Sequence, residues 1–273
     1  MRLLPNLVTA ALSLATAATA ALDRPPTPPR AQASSAAAPR QQDPSKQATW
    51  PKLEKRDLDR ARAAAKQFRK KQTELHEAAA DQLKRMGAGV APVLIRLISD
   101  KAQNVNEHLF SVLDAVVDSS HAALMAREVR RKSVACRRYV VRRLAGMRDR
   151  DMLPVLRKLV DDKDADIAFF AALGALALGD GAGVDKVLEA ARQRWTEQRA
   201  LIAATLAPAR SAEVSRLIWE RIGQARPTDQ MAGLRVLRHL ATKEQRVLHG
   251  EAPLEKLSSF QAINLAKKWL EKL

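Results

Sequence analysis

The sequence predicts an all-α fold, an α-solenoid of stacked antiparallel helix pairs with about 30–32 residues per repeat. Three observations predict it. Hydrophobic residues make up 47% of the chain but aromatics only 4%, and much of the remainder is alanine and leucine, a balance that favours helix over strand. Apolar residues recur at three- and four-residue spacing, as in Met152, Val155, Leu156 and Leu159, which lines one stripe of a helix. The chain also resembles itself at a fixed interval. LAGMRDRDMLPVL at 144–156 lies over LALGDGAGVDKVL at 176–188, and LAPARSAEVSRLI at 206–218 follows. Upstream, MGAGVAPVLIRLI at 86–98 and VVDSSHAALMA at 116–126 complete the series. Each unit reads as an alanine- and leucine-rich helix, a turn holding Gly, Asp or Ser, and a second amphipathic helix. A lone pair of this kind cannot bury both stripes, so successive pairs stack on a continuous core.

The elements follow in order along the chain. Residues 1–21 carry Arg2, an apolar run and the small-residue triplet Ala18-Thr19-Ala20, the pattern of a secretory signal peptide. Cleavage before Ala21 is the first expectation, an uncleaved anchor the second, and a transit peptide or plain disorder the third. Residues 22–50, with Pro25, Pro26, Pro28, Pro29, Pro39 and Pro44 among Ala, Gln and Ser, read as a disordered Pro/Ala-rich linker. Residues 51–273 form the repeat region. A long charged helix over about 53–86 and the segment 252–273 read as caps that close its two ends.

The GDGAG at 179–183 invites a phosphate-loop reading, but that loop needs a preceding strand and the spacing G-x-G-x-x-G. Here FFAALGALAL precedes it, a helix former, and the equivalent turns hold MRDRD at 147–151 and ARSAE at 209–213. The stretch is therefore a helix-to-helix turn, with Gly179 as the C-terminal cap of the first helix. Asp161, Asp162, Asp164 and Asp166 lack the sixth-position glycine and terminal glutamate of a calcium loop, and read as helix caps and first-turn acids. His76, His108, His121, His239 and His249 show no ligand spacing on a helix, and no nucleophile elbow is present. Cys136 is the single cysteine, so it forms no internal disulfide and takes the place of a small core residue. No cofactor, metal or catalytic residue is expected.

The net charge is +17 and the pI is near 10.5. Residues 127–150 concentrate that charge, with ten arginines and lysines against Glu128 and Asp149. On a helix, Val134, Cys136, Val140, Val141 and Leu144 share one side, while Arg138 and Arg142 fall opposite with Arg143 beside them. With Arg130 and Arg131 they form a candidate anion- or partner-binding patch. Tyr139 is the one aromatic in this stretch, so base stacking is not indicated and a nucleic-acid contact would be to phosphates. Arg137 falls inside the apolar arc and is expected to pair with a turn aspartate of an adjacent repeat.

The stretches DDKDADIAFFAALGALALGDGAGVDKVLEAA at 161–191 and RRLAGMRDRDMLPVLRKLVDD at 142–162 resemble HEAT repeats, in the short bacterial form also found in phycobilisome lyase-like proteins. The resemblance covers roughly residues 86–241. It implies a structural role for an arginine placed like Arg137. The resemblance implies an adaptor role; with the signal-like residues 1–21 and no catalytic constellation, the expectation is an exported, non-enzymatic scaffold, in the periplasm, cell envelope or medium, that binds a protein or a polyanion such as an acidic glycan or nucleic acid. No integral membrane span is expected once the signal is removed. Two alternatives stay open: a DNA-binding, glycosylase-type solenoid if the chain is not exported, and a lyase- or chaperone-like subunit acting on a partner protein.

Overall fold

A computed structural model describes residues 49–209, 212–240 and 258–271. Among these residues every regular element is helical. Helix α1 spans Lys55–Gln67 and α2 Thr73–Arg85; α3 is Ala91–Leu97 and α4 Gln103–Val116. Then come α5 (Ala122–Glu128), α6 (Val134–Met147), α7 (Leu153–Leu159), α8 (Ala165–Ala177) and α9 (Val184–Gln193). Helices α10 (Trp195–Leu206), α11 (Ala212–Gly223), α12 (Pro227–Leu240) and α13 (Ser259–Leu270) follow. The even-numbered helices α2 to α12 begin about 31 residues apart, the interval at which the sequence repeats itself. The expected signal segment, and the linker up to residue 48, lie outside the described residues.

The joint between the two helices of a pair has one construction. A single 3-10 turn covers Gly87–Val90, Ser119–His121, Arg150–Met152 and Gly181–Gly183. Asp118, Asp149 and Asp180 open the last three, each accepting from the backbone N–H two residues on, at 2.9, 2.9 and 2.8 Å. An aspartate satisfies there a donor that the turn cannot. Pro92 and Pro154 stand in the first turn of α3 and α7, where a missing N–H costs nothing.

The core runs along the even-numbered helices. Helix α2 packs on α4, α6 on α8, α8 on α10 and α10 on α12, while α3, α5, α7, α9 and α11 pack against their neighbours in that row. Helix α8 is buried nearly all round: Ile167, Phe169, Ala171, Leu173 and Leu176 are each 2% exposed or less. A helix apolar on every side belongs in a core. It approaches α6 so closely at Gly174 that a Cβ there would lie 2.8 Å from Cα of Ala145. Cys136 is fully buried on α6, as a core residue, and burial pushes its thiol up to about 11.

The GDGAG turn closes α8 as expected. Gly179 has φ 86°; its N–H donates to the Leu176 carbonyl at 3.0 Å, and the Asp180 N–H donates to the Ala175 carbonyl at 2.9 Å. These two bonds are the Schellman arrangement that ends a helix on a left-handed residue.

The N-terminal cap differs from the expectation. The charged stretch at 53–86 is two helices, broken over 68–72. Phe68 is 3% exposed, and the chain reverses behind it so that α2 packs on α1. No Gly or Pro marks this break; burial of Phe68 and of the Ala61, Ala64 and Ala65 stripe sets it. Trp50 already belongs to the packed chain, its ring stacked on His121 at 5.4 Å. At the far end, α13 packs on α12 and α11.

Candidate functional site

Ser133 starts α6 by accepting the N–H of Cys136, and that start sets the direction of every arginine in the candidate patch. Arg137 leaves the apolar side of α6 and pairs with Asp162 in the next turn, as the sequence indicates. Arg138 forks onto Asp164 with bonds of 2.9 and 2.7 Å and reaches Asp166 at 3.3 Å. The fork holds the Asp164 carboxyl below the usual carboxylate range and fixes a side chain that is 46% exposed. Asp164 itself caps α8 by accepting from the Ile167 N–H, so one carboxylate serves the helix start and the arginine together.

The patch does not form one exposed face. Arg143 turns back toward α4, where its guanidinium donates to the Val117 carbonyl and lies 3.2 Å from Asp114; its side chain is 25% exposed. The carbonyls left open at the end of α4 are the physical reason, because they lack partners within the helix. Arg131 pairs with Glu128 beside the start of α6. Arg130 is exposed, and none of the described ion pairs includes it. Arg142 lies 3.7 Å from Asp114 with its guanidinium 5.7 Å from the Tyr139 ring centre. Four of the five arginines therefore lie beside a carboxylate of this chain, with Arg142 and Arg143 sharing Asp114.

Arg138 and Arg142 line one side of a groove of about 600 Å³ across α4, α6 and α8. Gln103, Glu107 and Phe110 come from α4, Tyr139 from α6, Phe170 from α8, and Asp100 stands at one end. The Phe110 and Tyr139 rings lie parallel, 4.4 Å apart with 5° between their planes. Tyr139 is 2% exposed and its hydroxyl donates to Asp114 at 3.0 Å. Burial, with the Asp114 charge beside it, drives the phenol far above its ordinary value, so it remains a donor. Asp100 is occupied, taking the Ser133 hydroxyl at 2.9 Å and the Ala135 N–H at 2.7 Å. Glu107 is exposed and takes part in none of the described ion pairs.

Sequence reasoning read Tyr139 as a lone aromatic and missed the groove. Tyr139 and Phe170 hold equivalent places in successive repeats, 31 residues apart, whereas Phe110 stands 29 residues before Tyr139, two positions past the equivalent place, which is His108. Aligning the repeats finds Tyr139 with Phe170, while Phe110 is out of that register and joins them only through packing.

The remaining polar clusters are structural. Asp118, Ser120 and His121 stand together, with His121 Nδ1 2.8 Å from Asp118 and 3.2 Å from the Ser120 hydroxyl. A nucleophilic relay needs serine and aspartate on different ring nitrogens, whereas here both meet Nδ1; the trio is a capping box. His76 and His108 come from α2 and α4 with ring centres 4.5 Å apart, and Phe68 stacks on His108 at 5.1 Å. Among the described residues no group of three or more His, Cys, Asp or Glu is arranged to hold a metal ion. No single helix among them is long and apolar enough to cross a membrane.

No protein-family model matches the chain, and no curated protein matches it.

Proposed function

We propose that this chain is an exported, non-enzymatic scaffold, a HEAT-type α-solenoid that binds a protein partner. One observation carries the choice of partner: the groove across α4, α6 and α8 is lined by the aromatic side chains Phe110, Tyr139 and Phe170, while Arg138 is held by Asp164 and Asp166 and Arg142 lies 3.7 Å from Asp114. A polyanion site needs guanidinium groups free to meet phosphate or sulfate. A protein site needs an apolar floor with a polar rim. The solenoid reading is supported by the aspartate-capped turns at Asp118, Asp149 and Asp180, which recur at the repeat interval. Export rests on the signal-like residues 1–21.

The test has two arms. Residues 1–50 are fused to a reporter enzyme active only outside the cytoplasm, with Ala18→Asp and Ala20→Asp as the control. Activity together with N-terminal processing supports export; a silent reporter removes it and restores the DNA-binding alternative. Separately, retention on immobilised heparin is measured for the Arg138→Gln, Arg142→Gln double variant. The scaffold reading expects the eluting salt concentration to stay unchanged, and a clear fall would make the groove a polyanion site.

A further inference from the structure

We propose that the groove selects an extended peptide segment bearing an arginine or lysine two positions from an apolar or aromatic residue, with Glu107 receiving the cation. This rests on the protein-binding reading above and adds the chemistry of the partner. The charge argument is local. Arg138 is already forked onto Asp164, so an incoming carboxylate there has to displace a partner that is present, and Arg142 lies 3.7 Å from Asp114 with its guanidinium beside the Tyr139 ring. Asp100 is taken up by two donors at the start of α6. Glu107 is the carboxylate lining the groove that has neither an ion pair nor a hydrogen bond among the described residues. The net charge of +17 does not reverse this, because charges beyond a Debye length of about 8 Å are screened at physiological salt.

The shape argument agrees. Glu107 and Phe110 are one turn apart on α4, so a carboxylate and a ring lie side by side on one helix face. Phe170 reaches the same groove from α8, on the other side of α6. Packed helix axes lie about 8–10 Å apart, and α4 and α6 are no closer than that, so an occupant crossing α4, α6 and α8 covers at least about 16–20 Å. That distance is about five or six residues of extended chain. In an extended segment, side chains two positions apart share a face. One then meets the Glu107 carboxylate, while the next fills the space between Phe110 and Phe170. Every backbone group of α4, α6 and α8 outside their ends is spent within a helix, so recognition runs through side chains and not through strand addition.

The experiment uses the full chain on an array of octapeptides in a Gly/Ser frame, pairing Arg, Lys, Gln or Glu with Phe or Leu two positions on. Bound peptides are then synthesised with a fluorescent label and titrated by anisotropy against wild type, Glu107→Gln, Phe110→Ala and, as a control, Lys66→Gln. Preference for Arg and Lys over Gln and Glu is expected, with affinity lowered about tenfold by Glu107→Gln and unchanged by Lys66→Gln. Glu107→Gln replaces an exposed side chain, and a melting curve for each variant separates binding from folding. Preference for Glu-bearing peptides overturns the proposal. So does binding that neither Glu107→Gln nor Phe110→Ala weakens, although the scaffold reading then stands. Absence of peptide binding, with a labelled oligonucleotide bound by the same sample, overturns both.

Discussion

Arg148 has φ 52°, a left-handed backbone that costs an L-residue about 1–2 kcal/mol. Gly179 occupies the equivalent turn one repeat later at φ 86°, without that cost. Arg148→Gly is therefore expected to stabilise the protein by roughly 0.5–1 kcal/mol, after the extra freedom that glycine gives the unfolded chain is subtracted. The reverse change, Gly179→Ala, forces a Cβ into the left-handed region and within 3.0 Å of a Glu213 carboxylate oxygen, and is expected to cost about 1–2 kcal/mol. Urea unfolding of both variants measures the pair, and equal signs would refute the shared turn geometry. The glycine cap was legible in LALGDG, because glycine after an apolar helical run has a specific geometric meaning. The strain at Arg148 was not, since arginine carries no such signal. Residues such as Arg143 defeated sequence reasoning for a related reason: helical periodicity gives a direction from the axis but not the neighbouring carbonyls that redirect a long side chain.

At the scale of elements, the joints and the N-terminal hairpin carry the predictions. Asp180 is buried, caps the turn before α9 and receives Arg157. Asp180→Ala leaves the Ala182 N–H unsatisfied and is expected to lower stability by about 1–3 kcal/mol, with Asp180→Asn restoring part of it. Denaturant midpoints decide between that ordering and a null effect of both changes. The hairpin of α1 and α2 holds His76, His108 and Phe68 in contact, and desolvation followed by the nearby His76 charge lowers the His108 basicity. The unfolded chain then binds this proton more readily than the folded one. Stability is at its full value above about pH 6.5 and is lost as pH falls below it. A His108→Gln variant should show a flatter dependence of melting temperature on pH between about 7 and 5. The hairpin itself was hidden in the sequence, because the run across 68–72 keeps a helical composition and the reversal comes from where Phe68 is buried.

For the whole molecule, each pair touches its neighbours in the row, and ion pairs such as Arg138–Asp164 and Arg221–Asp185 reach from one pair to the next, while Arg192–Asp229 joins α9 to α12. Exposed pairs of this kind contribute little apiece, so the apolar row supplies most of the stability. Helix α8, buried nearly all round in the middle of that row, should exchange its amide hydrogens most slowly, with α1 and α13 at the ends exchanging fastest. Hydrogen exchange followed by mass spectrometry tests the order; fast exchange in 165–177 would contradict the packing.

The sequence by itself determined the all-α class, the repeat interval, the turns and the burial of Cys136, because each depends on residues close together along the chain. Periodicity, caps and composition act over one or two turns of helix and can be read there. What the tertiary structure decided depends on residues a repeat or more apart. Asp114, Asp164 and Asp166 pair with arginines about 25 or more positions away, so Arg138 and Arg142 also serve as repeat-to-repeat links. Phe110, Tyr139 and Phe170 become one surface only when α4, α6 and α8 lie side by side. Charge and aromatic count are properties of the chain, but whether a charge is free and whether two rings meet are properties of the packing.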